Sequence, residues 1–283
     1  MDRVTLPGIS ADAFQSELDK KALETLKKIP VFPKLLRKFY EVGADRWMYS
    51  WNMAMSVRVS NDQYPTLQRI LTECCQVLDM REPELYVTNN PFTNAFAGGV
   101  ERPYITIRSS MIDALDDEQM YHLIGHELGH IKCGHVLYMS LAMLLAPLME
   151  MIGKATLGLG DAVGIGIYLA FMEWSRKAEI SADRAGLLCS QSFELSGYAN
   201  LKLTSGAHRL NSEQSLPAFL DQCRAYQEMG ALDSIGKLIM LFFYEIHATH
   251  PIPVHRMKEL EKWYLSGQYD AIIKGNYLKE AAA

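Results

Sequence analysis

The residues best suited to do chemistry in this 283-residue chain are His126, Glu127 and His130, in the run His126-Glu127-Leu128-Gly129-His130. On a helix, positions i and i+4 share a face, so both imidazoles can offer a nitrogen to one Zn²⁺ ion. Glu127 stands beside the first of them, where its carboxylate can serve as general base toward water activated at the ion. The pattern is short enough to arise by chance on a surface helix, so the rest of the chain has to supply what a zinc site needs.

A hydrolytic zinc site takes three protein ligands and keeps a fourth position for water. Glu179 and Asp183 repeat the i, i+4 spacing further along. Glu179 can complete a His₂Glu set, and Asp183 can accept the free N–H of a ligand imidazole and so fix its tautomer. Arg176, one turn before Glu179, can pair with one of these carboxylates. Standing alone, the same residues read better as an ordinary ion-pair face of a helix; after His126-Glu127-x-x-His130 the site still lacks a third ligand, and the metal reading prevails. His122 reads as a supporting or core residue, because a third ligand from the same helix would be crowded. His135 is off the shared face of the two ligands and reads as a structural hydrogen-bonder. Cys133 reads as an inert thiol rather than a ligand.

These residues need elements to hold them. Asp116-x-x-Gln119 is a capping-box start for the helix that carries His126, Glu127 and His130. Helical patterns are predicted before it over about 10–28, 33–42 and 46–59, and from Pro65 to 79. Three short strands lie between, at Leu85–Val87, Thr93–Ala97 and Tyr104–Ile107, with Gly98-Gly99 as a hairpin turn; an antiparallel sheet is expected. Helices are predicted over 173–188, 191–204, 214–229, 232–247 and 255–265, and a frayed tail over 279–283.

Composition narrows the class. An apolar fraction of 49% and a charged fraction of 22% are those of a globular protein, and a net charge of −5 argues against a nucleic-acid partner. Five scattered cysteines with no C-x-x-C pair suit a reducing compartment. The first residues lack an apolar signal core, so secretion is not expected. Residues 136–149 and 155–172 are apolar, but neither makes the uninterrupted stretch of about 20 residues that spans a bilayer, and Asp161 would be costly in lipid. A buried or interfacial helical hairpin over 136–172 is favoured over two spans, with peripheral membrane contact left open.

In order along the chain, Asn94-Ala95-Phe96-Ala97, His126-Glu127-Leu128-Gly129-His130 with His135, Glu179-Ile180-Ser181-Ala182-Asp183, and His250-Pro251 with Arg256 resemble the zinc metallopeptidases that include the heat-shock protease HtpX and the CAAX prenyl endopeptidases. The resemblance covers roughly residues 65–260. It implies that His126, His130 and Glu179 hold the zinc, that Glu127 is the base, and that Asp183 supports an imidazole. It implies further that Asn94, Ala95, Phe96 and Ala97 form the edge strand that binds extended substrate. By the same resemblance His250 and Arg256 stabilise the oxyanion; read alone, that late element is a helix start. The chain departs from the membrane members in lacking long apolar spans and in carrying residues 1–60 ahead of the matching region.

The expectation is a mainly helical α+β, zincin-like metallopeptidase with a small antiparallel sheet beside the His126-Glu127 helix. Residues 1–60 form an N-terminal helical extension, 61–270 the peptidase domain including the hairpin 136–172, and 271–283 a tail. The activity expected is zinc-dependent endoproteolysis of unfolded or extended polypeptide, in the cytoplasm or at a membrane. The alternatives are a non-catalytic zinc protein that binds polypeptide at its sheet edge and a protease held latent by residues 1–60 or by the apolar hairpin. Substrate identity and oligomeric state are not legible.

Overall fold

The computed structural model describes residues 3–29, 32–41, 43–142, 161–206, 208–229 and 253–281, with side chains of 32, 34, 35, 38, 161–168 and 208 excepted. The helix predicted over 232–247, His250 and residues 143–160 of the apolar hairpin therefore lie outside the described residues. The helices are α1 (Glu17–Lys27), α2 (Phe32–Glu41), α3 (Ala44–Met55), α4 (Pro65–Val77), α5 (Ser109–Ala114), α6 (Asp117–Lys132), α7 (Asp161–Ser190), α8 (Phe193–Ser205), α9 (Leu216–Glu228), α10 (Pro253–Leu265) and α11 (Gln268–Ile273). The strands are β1 (Val57–Arg58), β2 (Glu84–Thr88), β3 (Ala95–Gly98) and β4 (Tyr104–Arg108). No described helix is long and apolar enough to cross a membrane.

The sheet is mixed rather than antiparallel, in the order β1-β2-β4-β3. β2 and β4 are parallel, Leu85 opposite Ile105 and Val87 opposite Ile107, while β3 returns antiparallel to β4. The chain leaves β2, passes to the far side of β4, and comes back through a hairpin whose turn starts at Gly99, with φ +76°. A Cβ on Gly99 would stand 2.0 Å from the Arg102 carbonyl oxygen, so only glycine fits there. β4 is buried on both faces, which is why its apolar run does not alternate. α3 covers one face of the sheet. Its Tyr49 ring packs edge-on to Tyr104 at 6.1 Å, and Thr106 Oγ1 donates to Asn52 Oδ1 at 2.7 Å. The opposite side of α3 leaves Trp47 and Trp51 about 60% exposed.

Helix α6 runs through the middle. Gln119 to His130 are all buried. The predicted capping box is present: Asp116 Oδ1 accepts from the Gln119 amide at 2.9 Å, and Gln119 Oε1 from the Asp116 amide at 3.3 Å. α6 packs on α4, α7, α8 and β3. Its contact with α7 depends on small residues. A Cβ on Gly125 would lie 2.5 Å from Cys189 Cβ, and one on Gly129 would lie 2.6 Å from Ala185 Cβ and 3.1 Å from Ala182 Cα. From α7, a Cβ on Gly186 would lie 2.7 Å from the His122 carbonyl oxygen. The glycines on each helix let the other approach closely, which brings Glu179 and Asp183 within reach of His126 and His130.

Residues ahead of α4 are built into the same core. Leu6, Ile9 and Phe14 pack with α4, α6 and α10, and the Leu6 amide donates to the Val77 carbonyl at 3.1 Å. A second cluster joins Leu23 and Leu26 of α1 to Phe39, Leu141, Phe171 and Trp174. Within the segment predicted to fray, Lys279 and Glu280 have partners. Lys279 bridges to Ile9, the Glu280 amide donates to the Gly8 carbonyl at 2.8 Å, and the Glu280 carboxylate takes Lys132 Nζ at 2.9 Å.

Candidate active site

α6 and α7 bring the three expected ligands together. One ligand atom from each of His126, His130 and Glu179 lies within 4.8 Å of the others, and all three residues are buried. The two Nε2 atoms are 3.2 Å apart; Glu179 Oε2 is 3.4 Å from that of His126, and Oε1 is 3.3 Å from that of His130. Two imidazole nitrogens and a carboxylate converging in a buried pocket are a donor set suited to Zn²⁺. Glu127 sits on the same helix, 2% exposed.

Each imidazole is held from behind. His126 Nδ1 is 3.0 Å from Asp183 Oδ1. Asp183 is clamped by Arg256 of α10, with Nε 2.8 Å from Oδ2 and Nη2 2.5 Å from Oδ1, and Arg256 Nη1 is 3.3 Å from Glu179 Oε2. Burial pushes the Asp183 carboxyl up, but attraction to and hydrogen bonds from Arg256 and His126 more than offset this and hold it well below the carboxylate range. Burial opposes charge on His126 too, yet Asp183 and Glu179 raise it to about 10; at His130 burial wins and lowers it to about 4. Arg176, expected to pair with a site carboxylate, pairs with Glu173; the guanidinium on Asp183 and Glu179 is that of Arg256. His122 is buried, 3.2 Å from Asn200 Nδ2 and 3.8 Å from Asp183 Oδ1, in a supporting position rather than among the ligand atoms.

His135 reaches His130 because the chain turns between them. α6 ends at Cys133, and Gly134 takes the left-handed conformation with φ +71° before helical residues resume at 135–142. His135 Nδ1 then lies 3.0 Å from His130 Nδ1, and its Nε2 lies 2.9 Å from Asp19 Oδ2. Asp19, on α1, is fully buried and was absent from every expectation. One signal could have found it: Asp19, Leu23 and Leu26 are i, i+4 and i+7, so an acid stands on the core-facing stripe of its helix. Burial alone would raise Asp19, but hydrogen bonding and attraction to His135, with hydrogen bonds from Ser181 and Gln15, lower it to about 2 against a usual 3.8. A folded pKa below the unfolded one contributes stability above about pH 4 that is lost as pH falls toward 2, worth about 2 kcal/mol. Denaturant midpoints measured from pH 5 to pH 2 should therefore converge between wild type and Asp19→Asn; a constant gap would contradict a buried, hydrogen-bonded Asp19 carboxylate.

Of the strand expected to bind substrate, Ala95, Phe96 and Ala97 lie in β3 and Asn94 immediately precedes it; the Asn94 carbonyl accepts from the Arg108 amide at 3.0 Å. β3 is an edge of the sheet and lies against α6.

A mainly helical α+β fold carrying His-Glu-x-x-His on one helix and a third acidic ligand candidate on the next defines a metallopeptidase. The sequence profile of peptidase family M48 matches residues 61–264, and the chain belongs to that family. It is similar to the plastoglobule-localized metallopeptidase 48, chloroplastic, of Arabidopsis thaliana, 28% identical over 94% of this chain and 76% of that protein. It is similar also to protease HtpX homolog 2 of Methanosarcina mazei, 24% identical over 76% of this chain and 78% of that protein. A protease HtpX homolog of Kineococcus radiotolerans is 31% identical over 47% of this chain and 49% of its own length. The chain is thus a metalloprotease of the HtpX-like type.

Proposed function

We propose that the chain is a zinc metalloendopeptidase acting on extended or unfolded polypeptide, with a place in protein quality control. The observation that carries this reading is the convergence of His126, His130 and Glu179 beside Glu127 in a buried pocket. In it, His126, His130 and Glu179 would hold one Zn²⁺. The ion would polarise the scissile carbonyl and lower the pKa of water. Glu127 takes the proton from that water as it attacks and returns it to the leaving amine. Asp183 keeps the His126 Nδ1 proton in place, and Arg256 holds Asp183. Because Arg256 is committed to Asp183 and Glu179, we assign it to bracing the site rather than to facing the oxyanion. His250 keeps the oxyanion role implied by the resemblance, outside the described residues.

Extended substrate pairs its main chain with Asn94–Ala97, next to the candidate metal helix. Backbone pairing reads no side-chain identity, which suits a broad polypeptide substrate. Five free thiols suit a cytoplasmic location, and the apolar sequence of 136–172 is the segment we assign to peripheral membrane contact. No nucleic acid is among the proposed partners.

Metal analysis of the purified chain together with cleavage of an unfolded casein-type substrate tests the proposal. The expected result is about one zinc per chain, with cleavage abolished by a chelator and restored by added zinc. Cleavage that survives complete removal of the metal would overturn it.

A further inference from the structure

Asp19 lies outside residues 61–264, the span that matches the family, yet it is the endpoint of a hydrogen-bonded path into the candidate metal site. Its carboxylate takes four side-chain donors. His135 Nε2 at 2.9 Å, Ser181 Oγ at 2.7 Å and Gln15 Nε2 at 2.9 Å reach Oδ2, and Trp174 Nε1 at 3.0 Å reaches Oδ1. Ser181 in turn accepts from the Ser16 amide at 2.9 Å, so α1 is fastened to α7 at this point. Four donors around a fully buried carboxylate leave it no stable form except the acceptor.

The proton positions then follow in sequence. A carboxylate only accepts, so His135 Nε2 must donate. A neutral imidazole has one donor and one acceptor, so His135 Nδ1 accepts. The nitrogen 3.0 Å from it, His130 Nδ1, must therefore carry a proton. His130 is left with a bare Nε2, the nitrogen that faces His126 Nε2 and Glu179 Oε1. We propose that Asp19 is a positioning residue for the metal, setting the tautomer and ring orientation of His130 through His135. The two ligand imidazoles are then braced symmetrically in chemistry and unequally in length: His126 rests directly on Asp183, His130 on Asp19 through a second imidazole. The proposal rests on the reading of His130 as a ligand.

The test uses the full chain and reads metal binding rather than activity. Asp19→Asn keeps shape but offers an amide in place of a pure acceptor. Zinc affinity, measured by competition with a chromophoric chelator, should weaken by about 10- to 100-fold, and the visible ligand-field bands of the cobalt-substituted protein should shift. Asp19→Glu should recover part of both. The double variant Asp19→Asn/His135→Leu should bind zinc no worse than His135→Leu alone, because the path is already cut. Wild-type affinity and cobalt bands in Asp19→Asn, or additive losses in the double variant, would overturn the proposal. Should Asp19→Asn not fold, ¹⁵N spectra of the zinc-loaded wild type decide: protonated His130 Nδ1 and His135 Nε2 support the path, and the opposite tautomer of His135 refutes it. If His130→Ala binds zinc as wild type does, it is the ligand assignment that has failed, not the bracing of a ligand by Asp19.

Discussion

Replacing Glu127 by Gln is expected to leave bound zinc unchanged and to lower peptide hydrolysis by about 10²- to 10⁴-fold. The substitution keeps the shape of the side chain and removes its ability to take a proton at neutral pH. Glu127 is not one of the three residues whose ligand atoms converge, so the donor set survives. It is nevertheless buried beside them on the same helix, and its charge is close enough to attract Arg256. Its carboxylate is therefore held away from bulk solvent and near the Arg256 guanidinium. Glu179→Ala is the companion variant: it should lose zinc and activity together. The measurement is turnover normalised to metal content. Undiminished proteolysis by Glu127→Gln would remove Glu127 from the reaction, whatever the metal does.

Replacing Gly129 by Val should destabilise the chain by about 3 kcal/mol and weaken zinc binding with it, because any side chain there strikes backbone. Even a single Cβ would stand 2.6 Å from Ala185 Cβ and 3.1 Å from Ala182 Cα, and neither atom can swing aside. Replacing glycine inside a helix by alanine ordinarily gains about 1 kcal/mol of helix propensity. Forcing extra carbon into a packed core costs about 1–3 kcal/mol. The steric cost thus exceeds the propensity gain, and Gly129→Ala should already show a net loss. The site shares the damage, since α6 carries His126 and His130 while α7 carries Glu179, and separating the helices draws the ligand atoms apart. Denaturant unfolding of the two variants, with zinc content of each, checks this. A midpoint for Gly129→Ala at or above wild type would mean that the helices do not meet as closely as described.

What the sequence made legible divides along physical lines. A candidate metal site demands particular residue types at helical spacing, so His126 and His130 could be picked out from the sequence, Glu179 and Asp183 only once that pair was in hand, and the capping box that starts α6 directly. Partner choice among arginines could not. Arg176 and Arg256 are equivalent in type, and only the docking of α10 on α7 decides which reaches Asp183. The parallel pairing of β2 with β4 was missed because hairpin chemistry at Gly98-Gly99 reports one pairing and says nothing of the next. The unbroken apolar run Tyr104-Ile105-Thr106-Ile107 was the sign of a strand covered on both faces. The close approach of α6 to α7 was written in Gly125, Gly129, Ala182, Ala185 and Gly186, small residues whose meaning appears only when the two helices are set side by side. Lys279 and Glu280 find partners at Ile9, Gly8 and Lys132 that no local pattern announces.

The arrangement around the imidazoles also sets a timetable. Asp19 meets His135 across 116 positions, and Arg256 meets Asp183 across 73. Contacts between residues so distant form late in folding, since the entropy of closing the chain is lost before the contact rewards it. A nascent chain that has emerged through α7 already carries His126, His130 and Glu179 but not Arg256, so the Asp183 carboxylate has no cation to hold it against His126. The bracing of the centre must wait until α10 has been synthesised and docked. A peptidase built in this order completes its active site only after most of its own chain has left the extended state on which such an enzyme would act.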